Sequence, residues 1–233
     1  MNKISKGSVH FEKVTKKFGN ICALEEISFD VQGGEFVFLT GPSGAGKTTI
    51  TKLILRELLP TSGHVKIDDT EVSRISNGKI PQFRRKIGVV FQDFRLLFDR
   101  TVFENVALPL QVVNLKKDEI KKRVDEILEL VGLQERAHLF PRQLAGGELQ
   151  RVCLALAIIN RPEIVLADEP TGNLDPATSW QIVKLLKKIN KMGTTILMST
   201  HNVDIVNSLK ERVIKLEKGK LIKTEDEGKY ESV

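Results

Sequence analysis

The chain reads as an α/β protein built on a largely parallel sheet with helices on its faces and a mostly helical insert. Three observations carry that reading. Short β-type runs alternate with helical patterns along most of the 233 residues. A glycine-rich loop joins an apolar strand to a helix at 41–48. Between 93 and 160 strand-like runs disappear and helical periodicity takes over.

Composition narrows the class. Hydrophobic residues make up 41% and charged residues 28%, ordinary for a globular protein with a sizeable core. The longest apolar run near the middle, Val152 to Ile159, is eight residues, far below the roughly 20 that span a bilayer. The opening residues carry positive charge with no apolar stretch behind them, which predicts no secretory signal and a cytosolic chain unless a partner holds it at a membrane. Net charge is +6, yet no Lys/Arg run is interleaved with aromatics, and there is one Trp and one Tyr. The basic cluster Lys116 to Arg123 reads as a solvated helix face, so no nucleic-acid partner is expected. Cys22 and Cys153 lack any pairing or metal-ligand spacing and read as free thiols packed as small apolar groups.

Element by element, strands are expected at Val9 to Val14, Ile27 to Val31 and Phe36 to Thr40, followed by a helix from Lys47 to Leu58. Strands follow at His64 to Ile67 and Ile87 to Phe91. Thr101-Val102-Phe103-Glu104 has capping-box form and opens a helix through Leu110. From Lys117 to Val131, Ile120, Val124, Ile127, Leu128 and Val131 make one apolar helix face. Another helix runs from about Gly146 to Asn160. Ile164 to Ala167 and Thr194 to Thr200 read as buried strands. Between them Asp175 and Pro176 start a helix as N-cap and first residue. The tail from Glu217 is polar, with little to pack.

Gly41-Pro42-Ser43-Gly44-Ala45-Gly46-Lys47-Thr48 matches the phosphate-loop pattern in full, with Thr49 following. Its backbone N–H groups and the helix N-terminus suit phosphate oxygens. Lys47 is placed to reach the β/γ-phosphates of ATP, and Thr48 to ligate Mg²⁺. A triphosphate site also needs a carboxylate for the metal and a group that orients water. Ile164-Val165-Leu166-Ala167-Asp168-Glu169 offers both at the end of a strand: Asp168 for the Mg²⁺ shell and Glu169 as the base.

With those residues in place, the sequence resembles an ABC-type nucleotide-binding domain over nearly its whole length. Leu144-Ala145-Gly146-Gly147-Glu148 resembles the family's signature motif, which faces the nucleotide of the other subunit. The resemblance makes Gln92 the glutamine that senses Mg²⁺, water and the membrane partner, and His201 the γ-phosphate histidine. It makes Asn173-Leu174-Asp175 the loop coupling the two sites, and Phe18 the aromatic against adenine. It implies a RecA-like P-loop core at 1–92 and 161–233 with an N-terminal antiparallel β subdomain, and a helical subdomain at 93–160 carrying the signature.

Val90-Phe91-Gln92-Asp93-Phe94-Arg95-Leu96-Leu97, Asp99-Arg100-Thr101-Val102 and Glu104-Asn105-Val106-Ala107 resemble the bacterial cell-division branch, the FtsE type. That resemblance implies an ATP-dependent homodimer at the cytoplasmic face of the inner (plasma) membrane, held there by an integral partner of the FtsX type that regulates peptidoglycan hydrolysis. Ala167 to Asp175 is shared with lipoprotein-release and macrolide-exporter ATPases, which stay open as the alternative. Two positions depart from the family: Ala145 replaces serine, and Leu156 replaces arginine. A signature loop that completes a neighbour's site cannot act within one copy, so two copies are expected to sandwich two Mg·ATP. An ATP-binding regulatory module with negligible turnover remains the reading from another class, suggested by Ala145.

Overall fold

The computed structural model describes residues 6–225. The expectation about a leader falls partly on residues 1–5, and the end of the polar tail on 226–233, both outside the described residues.

The chain opens with β1 (Val9–Phe18) and β2 (Ile21–Val31), a long antiparallel hairpin, then β3 (Phe36–Thr40) and α1 (Lys47–Ile54). Next come β4 (Ser62–Ile67), β5 (Thr70–Glu71), α2 (Ile80–Arg84) and β6 (Ile87–Val90). Three helices follow: α3 (Val102–Val112), α4 (Lys117–Val131) and α5 (Gly146–Ile158). The chain continues through β7 (Ile164–Asp168), α6 (Pro176–Lys191), β8 (Thr195–Ser199) and α7 (Val203–Leu209) to β9 (Arg212–Glu217) and β10 (Lys220–Glu225).

These strands form two sheets. One is antiparallel, ordered β2-β1-β4-β5. The other is ordered β10-β9-β3-β8-β7-β6, parallel from β9 through β6, with β10 antiparallel at its edge. This is the α/β class expected, with the antiparallel sheet in the N-terminal third.

Side-chain alternation explains the layering. In β3, Phe36 and Phe38 enter one core while Val37 and Leu39 enter the other. In β7, Val165 and Ala167 join the first core, and Ile164 and Leu166 the second. Period-two alternation with both faces apolar is what a continuous apolar run becomes when a sheet is covered on both sides. The first core is completed by Val106, Leu110, Val124, Leu128, Val152 and Leu154 of α3, α4 and α5. The second is completed by Val9, Phe11, Leu24, Ile27 and Val65 of the antiparallel sheet.

Three sequence expectations need correction. The α1 helix stops at Ile54, four residues before Leu58, because the chain turns back there and Arg56 takes a left-handed φ of 57°. The first two strands are longer than expected, since bulges near Lys13 and Glu26, both with φ of 47°, break the apolar alternation that periodicity relies on. Within the tail from Glu217, Lys220–Glu225 forms a strand paired with β9, although most of its side chains stay exposed. Its polar side chains hid a strand whose role is carried by the backbone.

Candidate active site

The parallel pairings of β3, β7 and β8 bring their carboxyl ends to one edge of the sheet, where α/β sheets place ligands. The loop leaving β3 is possible only with glycine at its turning points. Gly41 has φ 144°, Gly44 77° and Gly46 108°, and a Cβ on Gly41 would lie 2.2 Å from Leu216 O. Gly46 is the N-cap of α1, so the first N–H groups of that helix face outward with no side-chain cap. Lys47 Nζ donates to Gly41 O at 2.7 Å and Pro42 O at 3.2 Å, curling its ammonium over the loop.

Asp168 closes β7, and Thr48 Oγ1 donates to its Oδ2 at 3.4 Å. Hydroxyl and carboxylate thus meet across the floor. Among the described residues no group of three or more His, Cys, Asp or Glu gathers as a metal cluster. The donor set of one hydroxyl and one carboxylate suits a small hard cation that completes its shell with phosphate oxygens and water.

Glu169 stands beyond the strand with a left-handed φ of 47°, its N–H donating to Ser199 O at 3.0 Å. His201 Nδ1 lies 3.0 Å from Glu169 Oε2. The carboxylate is 15% exposed and the imidazole 70%, so a half-sheltered acid faces an accessible ring. Gln92 follows β6, and a Cβ on Gly172 would sit 3.3 Å from its Nε2. Gly41 through Thr49, Gln92, Asp168, Glu169 and His201 line one cleft of ≈ 680 Å³, together with Ala23 of β2.

Other expected site residues lie outside that lining. Ala145 is the N-cap of α5; its N–H donates to Glu148 Oε2 at 3.0 Å, but its methyl cannot accept from the Glu148 N–H, so only half a capping box forms. That bond holds the Glu148 carboxyl below the usual carboxylate range, reinforced by Arg136, whose Nε donates at 3.1 Å. Gly147 packs on α6, where a Cβ would lie 2.3 Å from Thr178 Cγ2, and Gly146 faces Leu174. Asp175 caps α6, accepting from Thr178 N at 3.0 Å, and bonds from Thr178 lower its carboxyl pKa. Phe18 ends β1, 46% exposed, with Lys16 Nζ 5.1 Å from its ring centre.

Several supporting residues escaped sequence reading. The segment after Gln92 is clipped at three points. The Arg95 guanidinium lies 3.5 Å from the Phe91 ring centre. Cys153 Sγ donates to Phe94 O at 3.0 Å, and burial pushes that thiol up to about 12. Asn105, 1% exposed, accepts from Leu97 N and donates to Leu97 O, Arg100 O and Thr101 O. Ala23 contributes through its place on β2, for which the sequence holds no signal.

Comparison with known proteins identifies the family. Residues 24–172 match the ABC transporter family model. The cell division ATP-binding protein FtsE of Bacillus subtilis is 51% identical over 225 residues, 96% of this chain and 99% of that protein. The protein of the same name from Mycobacterium tuberculosis is 47% identical, covering 95% and 97%, and that of Escherichia coli 44%, covering 91% and 96%. Among solved structures, the dimeric ATP-binding cassette MJ0796 bound to ADP and Pi after hydrolysis superposes with a TM-score of 0.85 at 38% identity, covering 95% of this chain and all of that one. CbiO1 of Clostridium perfringens, part of the CbiONQ transporter complex, gives 0.89 at 30% identity, covering 95% and 89%. The chain belongs to the ABC transporter family, in the group of the cell division ATP-binding protein FtsE.

Proposed function

We propose that the chain is the ATP-binding and ATP-hydrolysing subunit of a cell-division ABC complex, an ATP-dependent homodimer that drives an integral membrane partner of the FtsX type and so regulates peptidoglycan hydrolysis. The observation that carries the chemistry is the convergence of the phosphate loop, Asp168, Glu169, Gln92 and His201 on one cleft. Relatives named for cell division, 44–51% identical over most of the chain, support the biological role.

In this reading the backbone N–H groups of Gly44 to Thr48 cradle the phosphates of ATP. Lys47 leaves its resting bonds on Gly41 and Pro42 to meet the β/γ oxygens. Thr48, Asp168 and Gln92 hold Mg²⁺, which supplies charge neutralisation at the β- and γ-phosphates when bound. Glu169 accepts the proton of the attacking water, and His201, beside it, orients that carboxylate and contacts the γ-phosphate. Phosphoryl transfer to water is mostly positioning and electrostatics, which these groups supply without a covalent intermediate. Phe18 stacks on adenine from the hairpin end. Residues 145–148 complete the site of the other copy, and Asp175 links the two sites across the pair.

The core is assigned to 1–92 and 161–233 and the helical subdomain to 93–160. Leu97, Phe98 and Val112, exposed apolar side chains just beyond Gln92, suit 93–113 as the segment that passes motion to the partner. No helix among the described residues is long and apolar enough to cross a membrane; attachment at the cytoplasmic face of the inner membrane is therefore assigned to the partner.

A pull-down of Glu169→Gln with ATP from detergent-solubilised membranes, read by mass spectrometry, tests the role. Recovery of an FtsX-like protein with cell-wall hydrolases or division proteins is expected. Recovery of a lipoprotein-release or drug-exporter permease instead would overturn the division role and leave the ATPase chemistry standing.

A further inference from the structure

The geometry points to Gly219, in the β9–β10 turn, as a positioning residue for nucleotide: it holds the phosphate loop in its anion-binding form. This rests on the cleft being the nucleotide site. Gly219 N donates to Ala45 O at 3.2 Å, and Gly219 O accepts from Glu25 N at 2.8 Å. One residue therefore bridges the loop and β2.

The bond to Ala45 has a directional consequence. The Ala45–Gly46 peptide is trans and planar, so its C=O and N–H point opposite ways. Turning the Ala45 carbonyl toward Gly219 turns the Gly46 N–H away from the hairpin, and Gly46 is among the residues that line the cleft. A loop whose Ala45 peptide flipped would present a carbonyl oxygen to a phosphate and repel it.

Only glycine fits at 219. Its φ is 78°, and a Cβ would lie 2.7 Å from Ala23 O and 3.0 Å from Ala23 C. Those neighbours are backbone and cannot swing aside. Ala23 also lines the cleft, so pressure from a side chain at 219 reaches the site from two directions, through Ala45 and through Ala23. The same hairpin supports the far end of the loop, because Gly41 rests directly on Leu216 O. The C-terminal hairpin is thus a strut beneath the phosphate loop at Gly41 and Ala45.

The test compares wild type, Gly219→Ala, Lys220→Ala and Lys47→Ala at a temperature where all are folded. Mg·ADP affinity is read by calorimetry and phosphate release at saturating Mg·ATP. Gly219→Ala is expected to weaken Mg·ADP binding roughly tenfold, with turnover at saturation within about twofold because Glu169 and His201 are untouched. Lys220→Ala removes only the exposed pair with Glu25 and is expected to match wild type. A Gly219→Ala protein that melts earlier but binds Mg·ADP like wild type would overturn the inference, leaving the cleft assignment intact. Wild type that fails to bind Mg·ADP would overturn both.

Hydrogen exchange on wild type needs no variant. The Gly219 amide is expected to exchange roughly tenfold more slowly with Mg·ADP bound, and this slowing should vanish in Lys47→Ala. An unchanged Gly219 rate with Mg·ADP demonstrably bound would contradict the bridge.

Discussion

At Ala145 a single methyl stands where the family's signature has a hydroxyl, and the helix behind it keeps only half of its cap. The Ala145 N–H donates to Glu148, but the Glu148 N–H finds no side-chain acceptor at residue 145. Ala145→Ser supplies that acceptor, and an N-cap of this kind is worth about 1 kcal/mol. The added hydroxyl would also offer a donor to the γ-phosphate of the facing copy. Ala145→Ser is expected to raise the thermal midpoint without nucleotide and, in a Glu169→Gln background, to increase the dimer fraction at limiting ATP. Unchanged dimerisation by light scattering would contradict the role given to the missing hydroxyl. The other departure is structural: Leu156 packs against the core cluster beneath α3 to α6, where an aliphatic side chain needs no partner. His201 and Glu169 make a second residue-scale point. Each is an ordinary residue type at a strand end, and only their 3.0 Å separation turns them into a unit.

Among the elements, the segment between Gln92 and α3 depends most on Asn105, quoted in the cell-division motif but with no role given to its side chain by the sequence. Asn105 satisfies four backbone groups from Leu97 to Thr101 while fully enclosed. Asn105→Ala would leave buried backbone donors and acceptors unpaired, at about 2 kcal/mol or more. The expected result is a lower denaturation midpoint and faster amide exchange across 94–101; exchange confined to wild-type rates there would contradict the clasp. The elements also show what the sequence could and could not convey. Apolar runs such as Phe36 to Thr40 and Ile164 to Ala167 were legible because burial on both sheet faces demands them. The Thr101 and Asp175 caps were legible because short polar side chains at helix starts have a local mechanism. The first half of β2 and the whole of β10 were not, since bulges disrupt one and polar alternation disguises the other. The same limit hid Gly219 and Ala23, which act through backbone atoms brought together only by the fold. Both cysteines read as packed thiols; Cys153 is buried, but Cys22 is exposed on the hairpin strand β2, and the bond from Cys153 to Phe94, 59 positions away, had no signal.

Across the whole molecule, one sheet edge gathers groups contributed by β2, β3, β6, β7 and β8, with a further supporting element in the β9–β10 hairpin. The signature residues stand apart from that cleft, against the start of α6. Under the proposed function that separation calls for a second copy, and the cassette this chain superposes on is dimeric. Under the same proposal, closing the pair would order both clefts together, and losing the γ-phosphates would release them, a change that 93–113 would pass on. In the proposed function this cleft hydrolyses ATP with Glu169 as the base. The most direct measurement is phosphate release from Mg·ATP by wild type and Glu169→Gln, with nucleotide binding and dimer mass recorded on the same samples. Glu169→Gln is expected to bind ATP and pair, while its turnover falls roughly 100-fold or more. Turnover equal to wild type in Glu169→Gln, with ATP bound, would contradict it.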